Sequence, residues 1–216
     1  MKRSSFLLWL TAKNHRLNSL LPILVAYVIL PAIGSVSNME ANQATKMICY
    51  AYQFLLPLTA TLWGMTYLQV WIDNPGEEAM RSCCLSRTLV IDLFVLTISY
   101  MTVVLPAFSV ITFTYGLSFI EHYRLIIEVF TMVGLLYAVA TGSHSSTIGG
   151  VLCICYLIFS TLFARDSAVE AFCIIKPILI GDICDLGKVY TPFAIFAVIA
   201  WVLGFLFDRA SRQRTF

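Results

Sequence analysis

The chain has 216 residues, of which 59% are hydrophobic and 12% charged, with a mean hydropathy of +0.84. A water-soluble globular domain is about a quarter charged, so this composition excludes that class and points to a membrane protein. Fourteen Lys and Arg against twelve Asp and Glu leave a formal charge of +2. No field is strong enough to gather nucleic acid, and there is no acidic tail.

The first stretch, residues 1–19, is too polar to span a bilayer. Phe6, Leu7, Leu10 and Leu17 fall broadly on one helical side, and Lys2, Arg3, Lys13 and Arg16 are available to lipid headgroups. This pattern predicts an interfacial amphipathic helix, with a disordered basic anchor as the alternative. Its apolar run, Phe6–Leu10, is too short for a signal peptide.

A membrane-spanning helix needs roughly 20 mostly apolar residues. Six such runs follow, at Leu20–Val36, Ile48–Ile72, Thr88–Thr112, Leu125–Ala140, Ile148–Ala164 and Tyr190–Phe207. Backbone groups in hydrocarbon must be satisfied within the segment, so unbroken runs of this length are helices and not barrel strands. The expected fold class is all-α: a polytopic membrane protein, one transmembrane domain over residues 1–216. With the N-terminus in the cytoplasm, Lys2, Arg3, Lys13, Arg16, Arg81, Arg87, Arg209, Arg212 and Arg214 lie inside, and only Lys46, Arg124, Arg165, Lys176 and Lys188 lie outside. The excess of cations on cytoplasmic segments favours that orientation, with both termini cytoplasmic.

The loop between spans two and three, residues 73–87, is the most informative. Asn74-Pro75-Gly76 breaks the chain, and Glu77, Glu78, Ala79, Met80 and Arg81 are helix formers with acids in the first turn, where the helix dipole favours them. A short helix starting near Glu77 carries Met80, Cys83, Cys84 and Leu85, apolar or soft side chains suited to a groove on another protein.

These features, in this order, resemble the transmembrane permease subunit of type-2 ATP-binding-cassette (ABC) exporters. The family's loop commonly reads as a Gly, an acid-rich helical turn, leucines, then Pro-x-Ser-Arg. Gly76, Glu77, Glu78, Ser86 and Arg87 match it, while Cys84 stands where the proline is usual. The resemblance implies that Pro75, Gly76, Glu77, Glu78, Met80, Arg81, Ser86 and Arg87 belong to a coupling helix that docks on a separate ABC ATPase. It also implies pairing with a second permease chain, identical or related, in a bacterial cell membrane. The chain would bind no cofactor and be no enzyme itself, with ATP and magnesium held on the partner. The residues agree that a partner is needed, because the nearest phosphate-loop-like string, GDICDLGKVY, has one residue too many between Gly181 and Gly187-Lys188 and Val189 in place of the magnesium-binding hydroxyl.

Residues 165–189, before span six, mix about nine apolar residues with Pro177, Gly181 and flanking charges, too short a run to cross. They predict a re-entrant or surface-lying helical segment, or else a folded loop with no gating role. The resembling family has a re-entrant helical hairpin here.

Inside the spans, Gln53, Gln69, Asp92 and Glu128 are candidate path or coupling residues, since an intramembrane acid costs on the order of 3 kcal/mol on insertion scales. Structural roles compete: Asp92 can snorkel, Glu128 follows Arg124 at i,i+4 spacing, and the glutamines can bond neighbouring helices. Gly149, Gly150, Ser145 and Ser146 suit close helix packing. The three histidines, His15, His122 and His144, fall on separate segments, so no metal site is expected. Of seven cysteines, only Cys173 and Cys184 share the outer segment where a disulfide could form.

Two rival functions remain. Glu77-Glu78-Ala-Met-Arg81 approaches the glutamate motif of CAAX-type intramembrane proteases but misses its spacing by one residue, and no histidine lies within a predicted span to help activate water. A secondary carrier without an ATPase would be expected to show paired broken helices or an inverted repeat, and neither is visible. The expected activity is export of a substrate such as an antimicrobial peptide, a drug or a lipid.

Overall fold

A computed structural model of the chain describes residues 16–36, 41–73, 89–164, 169–176 and 183–213. Of the expected interfacial helix, 1–19, residues 1–15 lie outside the described residues, as do all but Asp73 of the expected coupling loop, 73–87. Those described are helical with short connections and no strand among them. In chain order they form α1 (Arg16–Leu24), a π-helical turn (Val25–Ile29), α2 (Leu30–Val36), α3 (Ala41–Ile72), α4 (Leu89–Tyr115), α5 (Ile120–Ser143), α6 (Ser146–Phe163), a 3-10 turn (Glu170–Phe172) and α7 (Ile183–Gln213).

Among the described residues, four segments are long and apolar enough to cross a membrane: Leu89–Tyr115, Ile120–Ser143, Ser146–Phe163 and Gly187–Ser211. Their outward faces carry side chains such as Phe113 on α4, Leu162 on α6 and Val198 on α7, each more than 60% exposed. A soluble protein would not leave so many large apolar groups in water, whereas a bilayer solvates them. α3 is 32 residues long, but its tyrosines, threonines and Gln53 lower its hydropathy and turn inward. Tyr52, Gln53, Thr59, Thr61 and Tyr67 are all buried.

α5 is the centre of the bundle. Two thirds of its apolar window, 67%, is buried, against 28% for α7, and it packs on α7 first, then on α3 and α6. Small residues set the approach of these helices. A Cβ on Gly204 would stand 2.3 Å from the Tyr137 ring, one on Gly134 2.7 Å from Trp201, and one on Gly149 3.0 Å from the Leu136 carbonyl oxygen. Where both sides are apolar, such close backbone contact is the main source of helix association in lipid. Hydrogen bonds to main-chain oxygens tie the same seam, from Trp201 Nε1 to Phe130 O at 3.1 Å and from Thr131 Oγ1 to Phe193 O at 3.3 Å.

The observed helices outrun the apolar runs. α3 begins at residue 41 instead of 48, α5 covers 120–143 instead of 125–140, and α7 covers 183–213 instead of 190–207. Helix continues into polar sequence because it needs only satisfied backbone bonds, not apolar side chains. The fourth run, the shortest in the sequence, proves to be the core of a 24-residue helix.

Proline interrupts α1, α3, α4 and α7 at Pro22, Pro57, Pro106 and Pro192, and leaves α5 and α6 unbroken. Each interior proline removes one helical N–H. The π-turn widens the first helix, where Leu30 N–H donates to Val25 O, and Tyr27 of that turn donates to Val103 O of α4 at 3.1 Å.

Candidate functional site

The bundle has two ends. At one, α3 runs into α4 through residues 73–88 and α5 turns directly into α6; this is the turn end. At the other, the α4–α5 connection lies beside residues 169–176, which pack across the bundle as a strap; this is the strap end.

Three charged residues of α5 fall on one helical face at the strap end: Glu121, Arg124 and Glu128, at i, i+3 and i+7. All are fully buried. Arg124 is their hub. Its Nε donates to Glu128 Oε1 at 3.2 Å, and its Nη1 donates to Glu121 Oε2 at 3.3 Å. Its Nη2 donates to Gln53 Oε1 of α3 at 2.7 Å and to the Lys176 carbonyl of the strap at 2.5 Å. The planar fork of a guanidinium suits this role, since its donors point to fixed, separate acceptors.

Neutral groups complete the cluster. Gln53 Oε1 also accepts the Lys176 N–H at 3.1 Å, and its Nε2 donates to Cys49 Sγ at 3.0 Å. Tyr52 donates to Glu121 Oε2. Tyr190 of α7 lies in hydrogen-bond reach of both Glu128 Oε1, at 3.1 Å, and Ile174 O, at 3.0 Å, while Arg124 sits 5.1 Å from the Tyr190 ring centroid. Gln53 thus holds both the main-chain N–H and, through Arg124, the carbonyl of one strap residue. Cys173, Ile174 and Ile175 are 0% exposed beneath it, and Ile174 N–H reaches Ser160 Oγ of α6 at 3.4 Å.

Among the described residues, the turn end carries helix caps and a tyrosine–aspartate bond. Asp73 caps the start of α6 by accepting from Ser146 N at 3.1 Å and from the Ser146 hydroxyl, an arrangement that satisfies a free helix N–H. His144 ends α5 in the left-handed conformation, φ 54°, with its N–H on Ala140 O. Tyr67 donates to Asp92 Oδ2 at 3.0 Å, joining α3 to α4.

Of the path candidates, Gln53 and Glu128 are brought together around Arg124. Asp92 is buried in its own contact with Tyr67, and Gln69 lies apart, partly buried on α3. The i,i+4 pairing of Arg124 with Glu128 is observed; the hub role of Arg124, placed outside the spans by the apolar runs, is not what those runs suggest. Glu121, Tyr52, Tyr190 and Lys176 join the site without being among its sequence candidates. The spacing Glu121, Arg124, Glu128 was the available signal, one charged stripe on one helix face. Gly149 packs tightly, as its residue type suggests, and Ser145 caps α6 with its side chain on Ile148 N. The Cys173 thiol donates to Val169 O at 3.5 Å, and the side chain of Cys184, its expected bridging partner, lies outside the described residues. Pro75, Gly76, Glu77, Glu78, Met80, Arg81, Ser86 and Arg87 lie outside the described residues.

A separate groove of about 570 Å³ runs along the side of the bundle between α4, α5 and α7. It is lined by apolar side chains including Phe94, Phe130 and Trp201. It offers no hydrogen bonding by which to select a polar ligand.

Helices of this length and outward apolarity, around buried and paired charges, are the mark of an α-helical membrane protein. The chain matches no protein family, no curated protein and no solved structure.

Proposed function

We propose that the chain is the membrane-spanning permease subunit of an ABC exporter, crossing the cell membrane six times with both termini in the cytoplasm. The first helical stretch and α3 supply the two spans beyond the four that stand out by apolarity. The observation that carries the reading is the strap: residues 169–176, between the last two long helices, turn back onto the bundle and are pinned there by Gln53, Arg124 and Tyr190. It occupies the position where the resembling exporters have a re-entrant hairpin, at the opposite end of the bundle from the loop read as a coupling helix. In this reading the strap end faces outward and closes a path, and an ATPase docked at residues 75–87 drives its opening. Two such permeases, identical or related, would flank the path. ATP and magnesium belong to the ATPase, so this chain performs no catalysis.

Purification from the native host in mild detergent is expected to bring down an ATPase subunit, and the chain alone is expected to hydrolyse no ATP. Charge reversal at Glu77 and Glu78 is expected to release that subunit without unfolding the bundle. The second reading, a secondary carrier, draws on the buried Glu121–Arg124–Glu128 cluster, because ionisable groups inside a membrane mark ion and proton pathways. It prevails if no ATPase is recovered and the chain alone catalyses uptake into vesicles.

A further inference from the structure

The two carboxyl oxygens of Glu128 are treated unequally. Oε1 accepts from Arg124 Nε and faces the Tyr190 hydroxyl, while Oε2 is buried with no hydrogen-bond partner. An ionised carboxylate spreads its charge over both oxygens and draws donors to each. A bare anionic oxygen inside an apolar bundle is therefore disfavoured. A protonated carboxyl fits better. Its carbonyl oxygen takes both donors as Oε1 does, and the proton neutralises the other oxygen.

Charge balance agrees. Glu121 and Glu128 share one guanidinium, and Glu121 is the better satisfied of the two: Arg124 Nη1 and the Tyr52 hydroxyl reach its Oε2, it has a further contact, and neither of its oxygens is buried without a partner. Facing the pair are Tyr52 and Cys49 from α3, Tyr190 from α7, Tyr156 from α6 and Lys176 from the strap, with His122 beside Glu121 on α5 itself. The first three are neutral as hydrogen-bonded groups. Lys176 reaches the cluster with its main-chain N–H and carbonyl; among the described residues its ammonium and the His122 ring beside Glu121 are the competing sources of positive charge.

We propose that Glu128 is a proton-binding site, carrying a proton on Oε2 in the closed bundle while Glu121 is the ionised partner of Arg124. The proposal stands on this cluster alone and holds under either transport reading. Lifting of the strap would admit water to Oε2, supply the missing donors and let the proton leave, so opening of this end is coupled to release of one proton.

Infrared spectroscopy of the purified protein at neutral pH tests this. The expected result is a protonated-carboxyl stretch in the wild type that moves on exchange into heavy water, is lost in Glu128→Gln and persists in Glu121→Gln. Glu128→Gln, which keeps the carbonyl acceptor and the neutral charge, should melt within a few degrees of the wild type. A wild type without such a band overturns the proposal, as does a band lost only in Glu121→Gln. So does a Glu128→Gln protein that melts as low as Glu121→Gln, because both carboxylates would then be ionised against Arg124 and Lys176.

Discussion

The two ends of the bundle are fastened by different chemistry. At the strap end, one guanidinium gathers two carboxyls, an amide and a main-chain carbonyl from α5, α3 and the strap, all of them out of reach of solvent. At the turn end, the described contacts include helix caps, among them Asp73 on Ser146, and a tyrosine–aspartate bond, Tyr67 on Asp92. Asp73 is exposed, so its cap is also in competition with water. The difference teaches where register is set and where movement is cheap. A hub with fixed donor directions admits one arrangement of α3, α5 and the strap, whereas a cap and a tyrosine–aspartate bond tolerate small displacements.

Interior prolines sharpen the contrast. Pro57 follows Gln53 by one turn of α3, and Pro192 lies two residues beyond Tyr190 in α7. The helices that hold the strap from either side are therefore weakened just past their points of attachment, while α5 between them is unbroken.

The largest expected effect follows from removing the hub. Arg124→Leu leaves two buried carboxyls without their cation, and breaking a buried pair from one side costs about 3–5 kcal/mol. The variant should lose most of its folded fraction in a detergent thermal melt; a melt close to wild type would mean that the strap end is not held by charge. At the turn end, Asp73→Ala removes a cap, at a cost of about 1 kcal/mol, and should lower the melting temperature by much less than Arg124→Leu. Equal effects would erase the comparison. Smallest is Tyr67→Phe, which deletes one hydroxyl donor to Asp92 and should cost about 1 kcal/mol or less because Asp92 has further contacts. Double-mutant cycles with Arg124→Leu should show both turn-end changes to be additive, since they share no partner with the hub.

How much of this was legible depends on how local each signal is. The apolar runs of α4, α6 and α7 declared themselves, because lipid-facing helices are apolar over most of their length. The apolar run of α5 spans only 125–140 because Glu121, His122 and Arg124 have the polarity of loop residues; they are interior instead, the charges of Glu121 and Arg124 answered within two turns. That pairing was available from the spacing of Arg124 and Glu128. The rest of the cluster was not, since Gln53 lies 71 residues from Arg124 in sequence and Lys176 lies 52. Nothing in a single chain's sequence states which tyrosine of α3 or α7 will meet a given acid. The role of the strap was half-visible: its short apolar run excluded a span, and only packing shows that residues 173–176 are buried against Gln53, Ser160 and Tyr190.

The clamp on the strap is the claim on which this account depends, and the reactivity of Cys173 tests it most directly. With Cys49, which holds Gln53, and Cys173 as the remaining cysteines, the Cys173 thiol should resist a membrane-impermeant maleimide in the otherwise wild-type protein, where it is fully buried. Gln53→Leu removes the amide that holds Lys176 N–H and Arg124, about 1–3 kcal/mol of holding energy, so labelling should accelerate roughly tenfold or more while the bundle stays folded. Equal labelling rates with and without Gln53 would contradict the clamp.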